Sequence, residues 1–397
     1  MVYVSVSETI RKEQKGKRMV QKKERKSGIE LLKVMSIFLI VLSHVTQTLI
    51  SPDKFTGLHF ENGYVQLSAT TEIRDIVLIL FSYLGSLGNL IFIVCSSYFL
   101  SDVKKSNKKK IANLWINTDV ISWLFLGVFL LCGVTLSRNL IIKSIFPVTF
   151  QNNWFITIYL LFCLAVPYLN IIAEKLDQKQ FLRFIAVLFV LYFGVGFIKS
   201  TFDLNNIIVF ITVHFIVCYC KKYMQDFWNN KKACSAVLSL GIACLLVLIA
   251  VTDFLGLKFG AFKDKQLHWA VNNNPILLLI SLSLFFLFAR MQFKNRFINM
   301  VSSLSLYIYL AHENILFRNY TRVYIWHSVF EKIGYDHLII ILLLFSFVLF
   351  ITAAVLGYVY KKTVERIVRK MIDLIFDNNK FKNLVNRIES KITAGNG

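Results

Sequence analysis

The chain has 397 residues, of which 56% are hydrophobic and only 17% are charged. Soluble domains hold about 45–50% apolar and about 25% charged residues, so this composition indicates a polytopic membrane protein. The net charge of +22 does not indicate a nucleic-acid partner, because the basic residues lie between apolar runs. A positive-inside membrane topology accounts for that arrangement. The seven cysteines lie mostly within apolar runs and predict neither a disulfide framework nor a zinc site.

The predicted elements begin with a basic polar tail, residues 1–27, expected to be disordered and cytoplasmic. A membrane domain over 28–360 follows, and 361–397 is predicted to form an amphipathic cytoplasmic tail on the inner leaflet surface. Runs long enough to span a bilayer lie near 29–49, 76–100, 115–137, 154–173, 181–199, 204–220, 233–255, 275–290, 299–317 and 338–360. The eighth run is short and the ninth is polar, so both are expected to pack inside the bundle.

The distribution of Lys and Arg predicts which ends of these runs face the cytoplasm. The two tails and alternate loops carry 33 of the 45 basic residues, whereas the other set of loops carries 11. Cytoplasmic segments are enriched in Lys and Arg, so both termini are predicted to be cytoplasmic. The fold class is therefore an all-α polytopic membrane protein, a bundle of about ten transmembrane helices.

The first run carries an unusual stripe of polar residues, Glu30, Lys33 and His44. Eleven residues turn a helix just past three full turns, so Lys33 and His44 share one face and lie about 16 Å apart along the axis. Ionisable side chains at membrane depth are costly and usually mark functional sites. We therefore predict chemistry along this face, with His44 in the outer half of the membrane as the best available general base.

The predicted topology places further polar residues at the same membrane depth as His44. They come from the start of the fourth run and the end of the ninth, and are Asn153, Trp154, His312, Glu313, Asn314 and Arg318. The chain contains no HExxH, paired-Asp or CxxC pattern, so no metal is predicted. A Walker-type loop and a hydrolase elbow are also absent, which argues against ATP-driven work and serine hydrolysis.

Each of these residues also has a structural interpretation that stays open. Considered alone, His44 is compatible with an interfacial histidine without a catalytic role. Lys33 is likewise compatible with a lysine whose ammonium extends to the lipid headgroups. Trp154 alone is typical of an aromatic belt. His312 and Glu313 are also compatible with a structural pair between helices.

Four segments in order resemble the integral-membrane acyltransferase family 3. They are Ile29–His44, which matches a basic-x10-His signature with Lys33 in place of the commoner Arg, Asn89–Leu100, Asn153–Phe155 with Pro167–Asn170, and Ser305–Asn314. Members of this family are ten-helix enzymes that move acyl groups, usually acetyl, onto cell-surface glycans. The four segments cover essentially the whole membrane region.

The resemblance implies an acyl donor, acetyl-CoA from the cytoplasm, and a polysaccharide or lipid-linked glycan acceptor in a bacterial plasma membrane. His44 would act as general base or as an acyl relay, assisted by Glu313 or His312. The donor would bind Lys33, Glu30, Lys109 and Lys110. The acceptor would bind Trp154, Asn153, Arg318 and Asn314. The choice between acetyl and another acyl group, and the existence of a homodimer, stay open.

Two other classes of function are weighed against this hypothesis. A polysaccharide flippase or transporter would be expected to show inverted repeats and broken helices near mid-membrane, and the sequence shows neither. A polymerase or ligase of lipid-linked sugars would favour a long outer loop rich in Arg. The loop over 50–75 contains only Lys54 and Arg74 as basic residues.

Overall fold

The computed structural model describes residues 27–50, 67–198, 206–333 and 337–378. Within these ranges the regular structure is helical, with no strand. The helices are α1 Ser27–Ile50, α2 Ile73–Leu100, α3 Lys108–Leu131, α4 Arg138–Ile145, α5 Trp154–Lys175, α6 Gln178–Phe189, α7 Asn206–Tyr223, α8 Gln225–Asn229, α9 Lys231–Phe259, α10 Pro275–Ala289, α11 Arg296–Ser302, α12 Ser305–His312, α13 Val323–Ile333, α14 Leu338–Lys362 and α15 Val364–Asp377. Two π-helical segments, Val190–Val195 and Phe317–Arg322, continue α6 and precede α13.

Eight helices in the described part of the chain are long and apolar enough to cross a membrane. They are α1, α2, α3, α5, α6 with its continuation to Ile198, α7, α9 and α14. Each corresponds to one of the ten predicted runs, so the all-α polytopic class is confirmed. The exact number of ten spans and the cytoplasmic position of both termini stay predictions. The amino tail and most of the loop over 50–75 lie outside the described residues.

The ninth predicted run is not one continuous helix. It is divided among α11, α12 and the π-helical segment, with breaks at Ser303 and at Glu313. Asn314 produces the second break, because its Oδ1 accepts hydrogen bonds from the backbone N–H groups of Leu316 and Phe317. Irregular backbone at membrane depth is tolerated where protein buries it. The run is buried around Glu313, as its polar composition predicts.

The third predicted run is also displaced along the chain. Its helix, α3, begins at Lys108, where the Oδ1 of Asn107 accepts a hydrogen bond from the backbone N–H of Lys110. The helix ends at Leu131, and the short helix α4 follows it. The lysines predicted to lie in a loop therefore form the first turn of α3, because an N-cap residue can start a helix within a polar segment.

Helix α1 packs most closely against α2, and two glycines make this approach feasible. A Cβ on Gly85 would lie 2.6 Å from the Oγ of Ser43, and a Cβ on Gly88 would lie 2.7 Å from both Ile40 Cγ1 and Ser36 O. Close helix approach through small residues is the usual basis of packing in membranes. The Oγ of Ser43 also donates across the interface to a carbonyl of α2 at 3.0 Å.

Helix α1 is the central element of the bundle, because α2, α10, α11, α12, α13 and α14 all contact it. Its first turn is bonded to α11: the Oγ of Ser27 donates to Asn299 Oδ1 at 2.9 Å, and the Oγ of Ser302 donates to Glu30. Its last turns approach the break at Glu313. The polar stripe of α1 is therefore fixed at both ends by the broken ninth run.

The segment after α14 forms the helix that the sequence predicts, α15. It buries Val368 and Ile372 against the bundle and exposes Ile367, Met371 and Leu374 on another face. Such a two-sided helix is compatible with an interfacial position. Its placement on the inner leaflet stays a prediction, and residues beyond 378 lie outside the described part.

We expect Gly88→Ala to lower the free energy of unfolding by about 1–3 kcal/mol, because overpacking forces the neighbouring backbone and Ile40 to move. Gly127 provides a matched control, because a Cβ there would meet no atom within 4 Å. Gly127→Ala should leave stability unchanged or slightly higher, since Ala is the better helix former. Thermal unfolding of the purified variants in detergent measures both effects. Equal behaviour of the two variants would contradict the close packing of α1 on α2.

Candidate functional site

The structure brings His44, His312 and Glu313 into direct contact. The Nδ1 of His44 lies 2.9 Å from Glu313 Oε2 and 3.1 Å from His312 Nε2. The two imidazole rings are 5.3 Å apart between centroids and tilted by 30°. Helix α1 supplies the first histidine, and the end of α12 supplies the other two residues. The prediction that these three residues share one layer is thus matched by atomic contact.

Hydrogen bonding assigns the tautomers of the two imidazoles. The Nδ1 of His312 donates to the carbonyl of Ile308 at 2.7 Å, so the Nε2 of neutral His312 is an acceptor. The Nδ1 of His44 faces that acceptor and a carboxylate oxygen, so it must carry the proton. Neutral His44 then has its lone pair on Nε2. This is the arrangement that a general base requires.

Two guanidinium groups hold the carboxylate of Glu313. Arg318 Nη1 donates to Oε1 at 2.8 Å, and Arg322 Nη1 donates to Oε2 at 3.0 Å. Arg322 is 0% exposed, and the same Nη1 also donates to the carbonyl of His312 at 3.0 Å. A buried carboxylate needs such charge-assisted partners to remain ionised. Glu313 is therefore a fixed negative charge beside His44.

The break after α12 explains how one carboxylate reaches three partners. His312 ends α12 and Glu313 follows as its C-cap, so the Glu313 side chain leaves the helix toward α1. The π-helical segment over Phe317–Arg322 then returns the chain beside the break. This segment contains both Arg318 and Arg322. A π-helical turn is a frequent feature of functional sites.

The same three side chains are the only cluster in the described residues with the composition of a metal site. Their potential ligand atoms lie within 4.8 Å of one another, and two histidines with one carboxylate form a known ligand set. Both oxygens of Glu313 are, however, already bonded to guanidinium groups. Two fixed positive charges beside the carboxylate oppose a cation. The residues therefore fit an acid–base site better than a metal site.

His44 lines a cavity of about 490 Å³, which we call the His44 cavity. Trp154 contributes to its wall, as the sequence predicts, and its indole makes an edge contact with Phe155. The rest of the wall is rich in side-chain amides from Gln47, Asn89, Asn206, Asn272 and Asn273. Polar side chains that converge in a cavity of this size are typical of a small-molecule site.

Lys33 lines a second cavity of about 310 Å³, the Lys33 cavity. Its ammonium lies 3.6 Å from Glu30 Oε1 and 5.4 Å from the centre of the Phe99 ring. Most of the remaining wall is apolar or aromatic. Asn89 lines both cavities, so they adjoin at this residue. The two ends of the polar stripe on α1 thus open into two neighbouring cavities.

The structure places the two other predicted donor-binding lysines outside the Lys33 cavity. Lys109 Nζ donates to Asp373 Oδ1 at 3.1 Å and to Asp377 Oδ1 at 3.0 Å, so it joins α3 to α15. Lys110 follows it in the first turn of α3, and neither residue lines the cavity. Their contribution to donor binding stays a prediction, without support from this geometry.

Three of the four predicted acceptor residues have structural contacts instead of a place on the cavity wall. Asn314 starts the helical segment after the break, and Arg318 binds Glu313. Asn153 is buried directly before α5. Only Trp154 lines the His44 cavity. An acceptor role for the other three stays a prediction.

Sequence reasoning missed Arg322 and the amides of the His44 cavity. Arg322 follows Arg318 by four residues, which is the spacing of one helix face, and this signal pointed to a shared partner. The amides gave no such signal, because Asn89 and Asn272 lie 183 residues apart.

Comparison with known proteins identifies one family. A sequence model described as an acyltransferase domain, Acyl_transf_3, matches residues 26–360. The match includes both cavities and the contacts of His44. No curated protein and no solved structure matches the chain.

We expect Glu313→Ala to destabilise the protein by about 3–5 kcal/mol, because it leaves a buried guanidinium without its counter-charge. The double variant Glu313→Ala with Arg322→Met should recover part of this loss, since it removes the uncompensated charge. Glu331→Ala is the matched control, because the Glu331 side chain is 56% exposed and its pair with His327 should contribute at most about 1 kcal/mol. Thermal unfolding in detergent measures all three. A double variant no more stable than Glu313→Ala would contradict the ion-pair argument.

Proposed function

The chain belongs to acyltransferase family 3, and we propose that it transfers an acetyl group from acetyl-CoA to a hydroxyl of a cell-surface or lipid-linked polysaccharide. One observation carries the proposal: His44, held through Nδ1 by Glu313, lines a polar cavity that adjoins a largely apolar cavity beginning at Lys33. A general base thus lies in a compartment suited to a hydroxylated acceptor, and that compartment adjoins one suited to a donor arm.

The Lys33 cavity supports the donor half of the proposal. The anionic end of CoA would bind near the ammonium of Lys33, where a cation attracts phosphate. The pantetheine arm would then run along the apolar wall toward Asn89. The rise from Lys33 to His44 along α1 is about 16 Å, which a thin extended arm can follow. Under the positive-inside topology, the Lys33 end faces the cytoplasm of a bacterial cell.

The catalytic step uses the lone pair on Nε2 of His44. This nitrogen takes the proton of the acceptor hydroxyl as the hydroxyl oxygen attacks the acetyl carbonyl carbon. The carbon–sulfur bond of the thioester then breaks, and the sulfur leaves with the proton that His44 returns. The products are an O-acetyl ester and free CoA. In a two-step variant, Nε2 itself attacks the carbonyl carbon, the carbon–sulfur bond breaks and CoA is released as the thiolate. The acceptor hydroxyl then attacks the acetyl group on Nε2, the carbon–nitrogen bond breaks, and the hydroxyl proton passes to the thiolate.

Glu313 and His312 serve this step as positioning residues. The carboxylate accepts the Nδ1 proton of His44, and so it orients the ring and stabilises the imidazolium that forms when Nε2 takes a proton. This is the role of the carboxylate in serine-protease triads. His312 offers a second acceptor to the same Nδ1. Arg318 and Arg322 keep Glu313 in place.

We expect His44→Ala to lower acetyl transfer by about 10²–10⁴-fold, because a general base contributes that factor. His327→Ala is the matched control, since His327 pairs with Glu331 and does not line either cavity. The measurements are the O-acetyl content of surface polysaccharide and the turnover of labelled acetyl-CoA by the purified protein. Variant protein levels must match. Normal acetylation by His44→Ala would overturn the mechanism, and absence of acetyl-CoA turnover in the wild type would favour a transporter.

We expect Lys33→Gln to raise the KM for acetyl-CoA at least tenfold, because one charge-assisted contact to phosphate contributes about 1.5–3 kcal/mol. The KM for acetyl-pantetheine, which lacks the nucleotide phosphates, should stay unchanged. Lys143→Gln controls for loss of a lysine elsewhere in the chain. An equal rise in KM for both donors would show that Lys33 does not bind the nucleotide end.

A further inference from the structure

The His44 cavity contains a chain of three amides that the catalytic step does not use. Asn89 Nδ2 donates to Asn272 Oδ1 at 3.2 Å, and Asn272 Nδ2 donates to Asn206 Oδ1 at 3.2 Å. The three residues come from α2, from the segment before α10 and from the start of α7. Three separate parts of the chain therefore converge to place these amides on one cavity wall.

The segment that carries Asn272 is fixed on both sides. Ser86 Oγ donates to the carbonyl of Ala270 at 3.0 Å, and Asn273 Nδ2 donates to the carbonyl of Tyr192 at 3.0 Å. Asn274 then caps α10 through the backbone N–H groups that follow it. Because the backbone is held in this way, the amide chain is preorganised before any ligand arrives.

Each amide side chain retains hydrogen-bonding capacity beyond this chain. An Asn carries two N–H donors and two acceptor lone pairs, and the bonds between the three amides use only a fraction of them. Among the described residues, no protein group bonds the carbonyl oxygen or the second N–H of Asn89, or the NH₂ group of Asn206. Paired donors and acceptors at fixed spacing suit a ligand with neighbouring hydroxyl groups, because each hydroxyl both donates and accepts.

The charge of the cavity restricts the ligand further. None of the described residues that line it is Asp, Glu, Lys or Arg, and His44 is neutral in its basic form. Glu313, Arg318 and Arg322 form a bonded cluster of net charge +1, and none of the three lines this cavity. A carboxylate or phosphate on the ligand would lose its hydration and find no counter-charge on this wall.

We propose that Asn89, Asn206 and Asn272 form the acceptor subsite and that it takes an uncharged polyhydroxylated sugar unit, rather than a uronic acid or a phosphorylated unit. The indole of Trp154 supplies an apolar face in the same cavity. This proposal rests on the proposed function and deepens it, since the amides select the unit whose hydroxyl His44 deprotonates. Asn89 lines both cavities and so sets the point where the acceptor meets the donor arm.

The test measures binding and turnover separately. The His44→Ala protein in detergent is titrated calorimetrically with a neutral gluco-oligosaccharide and with the oligosaccharide of equal length oxidised to the uronate. The neutral ligand should bind at least tenfold more tightly. Asn272→Ala and Asn206→Ala should weaken its binding at least tenfold. Asn152→Ala is the matched control, because Asn152 does not line the cavity and its side chain donates to the carbonyl of Lys143.

Turnover of labelled acetyl-CoA by the wild type, in membranes that hold its native polysaccharide as acceptor, distinguishes failure of the subsite proposal from failure of the proposed function. Where acetyl-CoA is consumed, but the uronate binds as tightly as the neutral ligand or the amide variants bind normally, the subsite proposal fails and the acyltransferase survives. Where neither acetyl-CoA is consumed nor the neutral ligand bound, both fail. In active amide variants, a raised KM for acceptor with an unchanged KM for acetyl-CoA supports the subsite, and equal changes in both overturn it.

Discussion

The ion pair between Glu313 and two guanidinium groups is the interaction on which the site depends. A carboxylate at membrane depth is costly, and the contacts from Arg318 and Arg322 offset that cost. Because both Arg residues follow the break after α12, the backbone must leave the helix to bring them back to Glu313. The same break directs the carboxylate toward His44. The break that Asn314 stabilises and the ion pair of Glu313 therefore orient the imidazole of His44 together.

Helix α1 fixes the position of His44 relative to residues at the other end of the same helix. Its contact with α2 through Gly85 and Gly88 is too close to allow a larger side chain, so the polar face of α1 has one orientation. That face carries Lys33 at one end and His44 at the other. The first turn is bonded to α11 through Ser27. The two ends of the stripe are thus fixed relative to each other. The proposed reaction, in which a donor is held at one end and attacked at the other, would require this.

The sequence predicted the features that depend on local pattern. Apolar runs anticipated the eight long helices, and the eleven-residue spacing placed Lys33 and His44 on one face. The particular partners that side chains find in distant segments could not be predicted from such patterns. The basic cluster around Lys109 suggested phosphate binding. The ammonium of Lys109 instead pairs with carboxylates of α15, the first of which, Asp373, lies 264 residues further along the chain. The division of the ninth run depends on Asn314 and on the burial of Arg322, which no periodicity in the sequence reveals.

The two cavities differ in polarity, and Asn89 lines both of them. A largely apolar compartment follows the charge of Lys33, and an amide-rich compartment surrounds His44. A thioester is uncharged and weakly polar, so it can pass along the first compartment at little cost, whereas a sugar hydroxyl needs the hydrogen bonds of the second. In the proposed reaction, the boundary between the compartments is therefore where the donor and the acceptor would meet with their polar groups still hydrogen-bonded. His44 lies on the polar side, where the proposed mechanism requires its Nε2 to take the proton of an acceptor hydroxyl.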